Sequence, residues 1–475
     1  MATPAVRPPR PLPPAPHPRS PDPGLPGPRG PPSVRPRRCY PLAVSTPTVQ
    51  PLILLGSTGS IGVQTLEVAR HLSSLADRGE GSARYEVVAL AAGRRASVAL
   101  EQAAATGARL VALADESGAA DAGLADGDTL PTGARVLVGQ DAAERLVHES
   151  RDLLADRAEQ NTPKPIAVSA IVGVAGLAPT LAAVDAGFDV ALANKEALVA
   201  AGAIVTARAR ERGVRLLPVD SEHSGVWQAL GGGLGAVVPP FDCPSDVRRI
   251  VLTASGGALR DHPVDAVARA TVEEALAHPN WSMGAKVTVD TASLVNKALE
   301  LIEAHWLFGV GSDRLAALVH PCSTVHALVE FADGSVVAQM GSPDMRTPIQ
   351  VALTHPRRLP GLAPPLDLRA HHDLEFREPD PERYPALAIG FHVIDRGGTA
   401  GAVFNAANER AAQAFLDRRI AFGEIAELIA RAVEEVGSSG ASDLSAVLDA
   451  DSAARESVDR ALLKRAAPSG AARRA

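Results

Sequence analysis

Residues 51–75 read PLILLGSTGSIGVQTLEVARHLSSL. An apolar run from Leu52 to Leu55 ends in a glycine-rich turn, after which Ile61, Val68, Leu72 and Leu75 recur with the helical period. Strand, tight turn and helix make the first half of a βαβ unit, and the same rhythm continues downstream. YEVVALAAG (85–93) reads as a second buried strand, ASVALEQAAATGA (96–108) as a helix and RLVALAD (109–115) as a third strand. IAVSAIVGVAGLAPTLAAVDAG (166–187) and DVALANKEALVAAG (189–202) repeat the alternation. This order is the pattern of a parallel sheet covered by helices on both faces.

The rhythm changes after residue 220. DVRRIVLTASGGAL (246–259) reads as a strand entering a glycine-rich loop, and STVHALVEFADGSVVAQMG (323–341) as an antiparallel hairpin turning at Asp333-Gly334. Residues 355–385 carry many prolines and few apolar runs, as a linker does. From Tyr384 the chain is mostly helical, with AAQAFLDRRIAF (411–422) and FGEIAELIARAVEEVG (422–437) as examples. The expected fold is α/β: a Rossmann-like nucleotide-binding domain at 51–219, an α/β catalytic domain at 220–354, a linker at 355–383 and a C-terminal helical bundle at 384–470.

Residues 1–50 stand apart. They hold 17 of the 39 prolines and seven arginines against a single acid, Asp22. Too few apolar residues are present to offset the entropy of ordering, so a disordered, partly polyproline extension is expected. It has no apolar core of the kind a secretory signal carries. The 475 residues suffice for two or three domains. A net charge of −7 with a pI near 6.0 gives no electrostatic footprint for nucleic acid. No apolar run approaches the ~20 residues that cross a bilayer. The scattered Cys39, Cys243 and Cys322 lack metal-ligand spacing and suit a reducing, cytoplasmic compartment.

The turn GSTGSIG supplies Gly56, Gly59 and Gly62. At the first βα turn of an alternating domain, such glycines allow the tight bend, the approach of backbone to a pyrophosphate, and close packing of the helix. A site selective for NAD ends the second strand with an acid for the ribose 2′-hydroxyl. Here Gly93, Arg94 and Arg95 stand there instead, and two guanidiniums favour the 2′-phosphate of NADPH. A solvated arginine pair after a strand is the plain alternative.

In LPVDSEHSG (217–225) two carboxylates lie two residues apart. If the strand through Leu216 to Val219 continues, Asp220 and Glu222 point the same way and repel. A hard divalent cation, Mg²⁺ or Mn²⁺, removes that conflict; a solvated acidic loop is the bland reading. In the helix NKALELIEAHWLF (296–308), Asn296, Lys297 and Glu300 share a face, which fits either a phosphate beside a metal or a surface salt-bridge ladder. HPNWSMGAK (278–286) reads as a lid over a ligand or as a turn around a buried Trp. LTASGG (252–257) offers Ser255 and backbone donors as a phosphate nest, and Asn194, Lys195 and Glu196 fall at the carboxyl end of a strand, where open α/β sheets bind ligands.

In their order, GSTGSIG, ANKEALV, LPVDSEHS, TASGG, HPNWSMG, NKALE, PDMRTPI and NAANE resemble the 1-deoxy-D-xylulose-5-phosphate reductoisomerase family from about Leu52 to near Arg465. The resemblance implies that Thr58, Gly59, Ser60, Ile61, Gly93, Arg94, Arg95, Asn194, Glu196 and Gly284 contact NADPH, and that Asp220, Glu222 and Glu300 hold the metal. It further implies that Lys195, Ser221, Glu222 and Glu300 meet the sugar-phosphate substrate, and that Ser255, His278, Thr291, Asn296 and Lys297 bind its phosphate. On the same ground Lys195, Asp220, Glu222, Glu300 and His278 form the catalytic set, Trp281 and Met283 close a flexible lid loop, and the enzyme is a homodimer. The implied reaction is a metal-assisted retro-aldol and aldol rearrangement followed by hydride transfer, with Lys195, Glu222 or a metal-bound water accepting the hydroxyl proton. Departures are Arg94-Arg95 for a Lys-Asn pair, Thr291 for Ser, Ala298 for Gly and Cys322 for Gln. A semialdehyde dehydrogenase would need a nucleophilic cysteine in an active-site motif, and a non-catalytic NADPH sensor would be expected to have lost one of the three acids.

Overall fold

The computed structural model describes residues 47–81, 83–158, 163–231, 238–278, 284–370, 373–441 and 443–466. The chain divides between Ser45 and Thr46 into two units, and the second carries every described residue. Most of the Pro/Arg-rich extension therefore lies outside the described residues, as do Trp281 and Met283.

Seven parallel strands build the larger sheet: β1 (Thr48–Leu55), β2 (Ala83–Ala92), β3 (Leu110–Leu113), β4 (Arg135–Val138), β5 (Ile166–Ser169), β6 (Asp189–Leu192) and β7 (Leu216–Pro218). Their order is β4-β3-β2-β1-β5-β6-β7. Chain progression runs outward from β1 in one direction and from β5 in the other, so the topological switch point lies between those two strands. β1 begins at Thr48, inside the segment assigned by composition to the extension. β4 and the Ala142–Ala158 helix complete a βα unit for which the sequence reading gave no element.

The inner strands are buried on both faces: Leu52, Ile53, Leu54 and Leu55 are at most 1% exposed. This is the reason they read as continuous apolar runs rather than alternating ones. The Ser60–Asp77 helix buries Val68, Leu72 and Leu75 against the sheet. A smaller sheet has the order β11-β10-β8-β9, formed by β8 (Val247–Ala254), β9 (Leu315–Val319), β10 (Val325–Phe331) and β11 (Val336–Met340). β10 and β11 pair antiparallel across the Asp333-Gly334 turn, where Gly334 has φ 88°. The Ser221–Ala229 helix lies between the sheets in sequence, and the Ala285–Ala292 and Val295–Phe308 helices lie between β8 and β9. The chain ends in the helices Pro385–Arg396, Ala400–Leu416, Glu424–Val436 and Leu444–Ala466. The 411–422 stretch is not helical throughout: the helix stops at Leu416, and Arg418 takes φ 59°. No helix among the described residues is long and apolar enough to cross a membrane.

Candidate active site

A cavity of about 940 Å³ opens at the carboxyl edge of the seven-stranded sheet. Its wall takes Ser60 and Ile61 from the turn after β1, Ala170 to Val172 after β5, Asn194 to Glu196 after β6 and Asp220 to Glu222 after β7. The Ala285–Ala292 and Val295–Phe308 helices and Ser255 close the opposite side. Because strand order is known, so is the sequence of these groups along the edge: glycine turn, then Glu196, then the carboxylates.

At the turn, Gly56 has φ +94° and a Cβ there would sit 2.5 Å from the Ala170 carbonyl oxygen. A Cβ on Gly62 would overlap the backbone carbonyls of Gly56 and Ser57. Both positions therefore exclude any side chain. Gly59 caps the 18-residue helix with no side-chain hydrogen bond, which leaves the amides of its first turn available to an anion. Arg95 donates to the Thr58 carbonyl, and Gly93, Arg94 and Arg95 are exposed. Thr58, Gly59, Gly93, Arg94 and Arg95 lie outside the cavity lining, on the side of the turn that faces β2.

The strand geometry expected for Asp220 and Glu222 is not what forms. β7 ends at Pro218, Asp220 is the N-cap of the Ser221–Ala229 helix, and Glu222 is in its first turn. Asp220 Oδ1 accepts from the Glu222 amide at 3.3 Å. A helix start gathers two carboxylates as well as a strand does, because its amides and dipole favour negative charge. Glu300 arrives from the Val295–Phe308 helix, and one oxygen from each of the three acids lies within 4.8 Å of the others. This hard, all-oxygen set suits Mg²⁺ or Mn²⁺.

Two ammonium groups stand among these acids. Lys195 Nζ is 2.6 Å from Asp220 Oδ2, 2.8 Å from Glu300 Oε1 and 3.0 Å from Asn296 Oδ1. Lys297 Nζ is 2.8 Å from Glu222 Oε1 and also pairs with Glu300. Burial opposes the charge on Lys195, yet Asp220, Glu300 and Glu303 hold its ammonium well above the ordinary lysine range. Burial and the Glu300 charge push the Glu222 carboxyl up to about 7 against the pull of Lys297.

A second cluster shares Asp220. His223 Nδ1 lies 3.2 Å from Asp220 Oδ1 and 3.3 Å from Glu303 Oε2, while Nε2 faces the Glu300 carbonyl oxygen at 2.8 Å. The carbonyl only accepts, so Nε2 carries a proton. Burial opposes a second charge-bearing proton, but Glu303 and Asp220 outweigh it and raise the imidazole to about 9. Neither His223 nor Glu303 lines the cavity. The open set of Asp220, Glu222 and Glu300 is the one able to receive a cation together with a ligand.

Farther along the cavity, Ser255 Oγ is 2.9 Å from His278 Nε2 and accepts from the Gly257 amide at 3.2 Å. Burial and the neighbouring Arg260 lower the His278 pKa, which favours the neutral ring. Thr291 and Gly284 line the wall, and Thr291 Oγ1 donates to the Val287 carbonyl at 2.8 Å. Asn296 Nδ2 donates to Glu300 Oε1 at 2.5 Å. The structure thus gathers Ser60, Ile61, Asn194, Lys195, Glu196, Asp220, Ser221, Glu222, Ser255, Gly284, Thr291, Asn296, Lys297 and Glu300 around one space, with His278 joined through Ser255.

Several cavity residues had no role in the sequence reading: Lys286, Asp290, Ser323, His326 and the loop Pro343 to Arg346. Lys286 closes the quoted HPNWSMGAK segment and the loop lies in PDMRTPI, so both were in view without a partner to explain them. His223 and Glu303 carried no signal, since their pairing exists only in three dimensions.

Residues 52–202 match the family model described as 1-deoxy-D-xylulose 5-phosphate reductoisomerase, 216–308 its C-terminal domain model, and 340–457 the DXP reductoisomerase C-terminal domain model. The 1-deoxy-D-xylulose 5-phosphate reductoisomerase of Gloeobacter violaceus is 46% identical over 409 residues, 86% of this chain and 96% of the relative. That of Symbiobacterium thermophilum is 45% identical over 85% of this chain and 97% of its own length. Among solved structures, the Zymomonas mobilis enzyme in complex with NADPH superposes with TM-score 0.73 at 37% identity, covering 87% of this chain and 99% of that one. A DOX-P reductoisomerase in complex with NADPH, fosmidomycin and magnesium gives TM-score 0.74 at 32% identity, covering 88% and 99%. The chain belongs to the 1-deoxy-D-xylulose 5-phosphate reductoisomerase family.

Proposed function

We propose that the cavity converts 1-deoxy-D-xylulose 5-phosphate to 2-C-methyl-D-erythritol 4-phosphate with NADPH and Mg²⁺ or Mn²⁺, a step that supplies isoprenoid precursors. The observation that carries the reading is the convergence of Asp220, Glu222 and Glu300 to within 4.8 Å at the same sheet edge as the glycine turn. Relatives alike over most of their length carry this activity in their names, and solved relatives hold NADPH and magnesium. In this assignment Thr58 to Ile61, Gly93 to Arg95, Asn194, Glu196 and Gly284 take the nucleotide, and the three acids take the metal. Ser255, His278, Thr291, Asn296 and Lys297 take the phosphate of the substrate.

When bound, the cation supplies Lewis-acid polarisation of the ketone, and NADPH supplies the hydride. The residues divide the remaining work. Lys195, whose ammonium form Asp220, Glu300 and Glu303 favour, is placed to donate to substrate oxygens, with Glu222 in the same wall as a side-chain acceptor for the hydroxyl proton. The phosphate-binding residues of the wall would hold the aldehyde fragment that keeps the phosphate, so that it stays in place to rejoin the other.

The domain division follows the same reading: nucleotide binding at 51–219, metal and substrate at 220–354, and a helical bundle from 384. A homodimer is the assembly we favour. β11 is a sheet edge on which Val336 and Val337 are 53% and 42% exposed, a surface that a second copy would cover. A cytoplasmic location accords with the lack of a membrane-crossing helix among the described residues. NADPH oxidation by purified protein, assayed with and without each component, tests the function. It should require both the sugar phosphate and added Mg²⁺ or Mn²⁺; turnover of a semialdehyde without metal would refute it.

A further inference from the structure

Lys286 and Asp290 sit one turn apart on the Ala285–Ala292 helix and both line the cavity, yet nothing in the reaction as described employs them. Lys286 Nζ lies 2.8 Å from Asp290 Oδ2 and 4.0 Å from Glu196 Oε1. Asp290, 1% exposed, also accepts from Asn408 Nδ2 at 3.1 Å. Asn408 is fully buried on the Ala400–Leu416 helix and belongs to the NAANE motif, which likewise has no function so far. On the other side, Asn194 Nδ2 donates to Glu196 Oε2 at 3.3 Å, and Asn194 Oδ1 accepts from the Ala197 amide at 2.9 Å. A continuous polar chain thus runs Asn194, Glu196, Lys286, Asp290, Asn408, from the sheet edge at β6 to the C-terminal helices.

The placement of this chain matters. Along the sheet edge the order is β1, β5, β6, β7, with neighbouring strands about 4.8 Å apart. A nucleotide with its phosphates on the glycine turn after β1 must pass the wall after β6 to bring its reducing ring to the carboxylates after β7. Glu196 stands in that path. A bare carboxylate there would repel a polyanionic ligand, whereas the ammonium group 4.0 Å away, shared with Asp290, offsets part of that charge and lets Glu196 accept a hydrogen bond from a hydroxyl or amide of the nucleotide.

We infer that Lys286 is a positioning residue for the reducing nucleotide, acting through Glu196, with Asp290 and Asn408 anchoring the ion pair to the C-terminal helices. This rests on the reading that the cavity takes NADPH. The NAANE motif thereby gains a role: its helix holds one end of the wall against which the nucleotide lies.

The test is a fluorescence titration of the full chain with NADPH, carried out on wild type, Lys286→Gln, Lys286→Arg, Glu196→Gln and the Glu196→Gln/Lys286→Gln pair. Lys286→Gln should weaken NADPH by about tenfold in the wild-type background and by less than about threefold when Glu196 is already Gln, with Lys286→Arg restoring most of the affinity. Mn²⁺ affinity, measured alongside, should stay unchanged. Equal NADPH affinity in wild type and Lys286→Gln overturns the inference, as does an equal loss in both backgrounds or a parallel loss of Mn²⁺ binding, which marks a purely structural residue. A wild-type protein that fails to bind NADPH at all defeats the functional reading itself.

Discussion

Lys195 and Glu300, 105 residues apart in sequence, meet with Nζ 2.8 Å from Oε1 at the point where the Lys195–Arg212 and Val295–Phe308 helices face the cavity. With Lys297 on the other Glu300 oxygen, the ammonium groups occupy the ground that a divalent cation would share. Two ammonium groups thereby offset part of the charge of three carboxylates.

Replacing Lys195 by Met leaves Asp220 and Glu300 short of a partner. Removing one member of a buried charge pair costs about 3–5 kcal/mol. Urea unfolding of the metal-free variant should show a loss near the lower end of that range, and saturating Mn²⁺ should recover more than half of it. A loss untouched by Mn²⁺ would mean that the lysine and the cation do not serve the same carboxylates.

Glu300→Gln removes one metal ligand and leaves the glycine turn intact. We expect kcat/KM to drop by about a thousandfold while the NADPH dissociation constant stays within about twofold. Steady-state kinetics and a fluorescence titration read the two quantities separately. Retention of most activity would refute the three-carboxylate centre.

The pH dependence follows from Glu222, raised to about 7 from an ordinary 4.5. In the metal-free protein the folded state holds this proton more tightly than the unfolded chain does. Its contribution to stability therefore declines as pH rises from 4.5 to about 7 and is level above that. A metal needs the ionised carboxylate, so the Mn²⁺-induced rise in Tm should grow with pH up to about 7 and then flatten. Thermal melts with and without Mn²⁺ between about pH 5 and pH 8 check this; a constant increment across the range would contradict it.

Arg94 and Arg95 are exposed beside the turn, and in the proposed assignment they meet the 2′-phosphate of NADPH. Changing both to Glu should raise KM for NADPH by about a hundredfold and KM for NADH far less. Equal effects on the two nucleotides would remove these residues from cofactor selection.

Deleting residues 1–45 takes nothing from β1, which begins at Thr48 and pairs from there with Ala83. Turnover and Tm of the shortened chain should match those of the full protein. A large change in either would assign the extension a role in the folded enzyme.

Much of this architecture is legible in the chain. Leu52 to Gly62 announces strand, turn and helix because Gly56 and Gly62 admit no side chain and the strand is buried on both faces. Arg135–Val138 was missed because a four-residue strand between turn-rich segments presents no period to read. Asp220 and Glu222 sit at a helix start rather than on the expected strand, since a two-residue spacing suits a strand and the first turn of a helix alike. Their union with Glu300 depends on how two helices pack, and local spacing holds no record of that. The same is true of the pairings of His223 with Glu303 and of Asn408 with Asp290, which span distant parts of the chain.

The central claim is that one cation is shared by Asp220, Glu222 and Glu300, and anomalous diffraction from crystals soaked in Mn²⁺ tests it most directly. A single peak within about 2.0–2.2 Å of one oxygen from each of the three is the predicted result. A peak held instead by Asp220, His223 and Glu303, or no peak among the three acids, would contradict it.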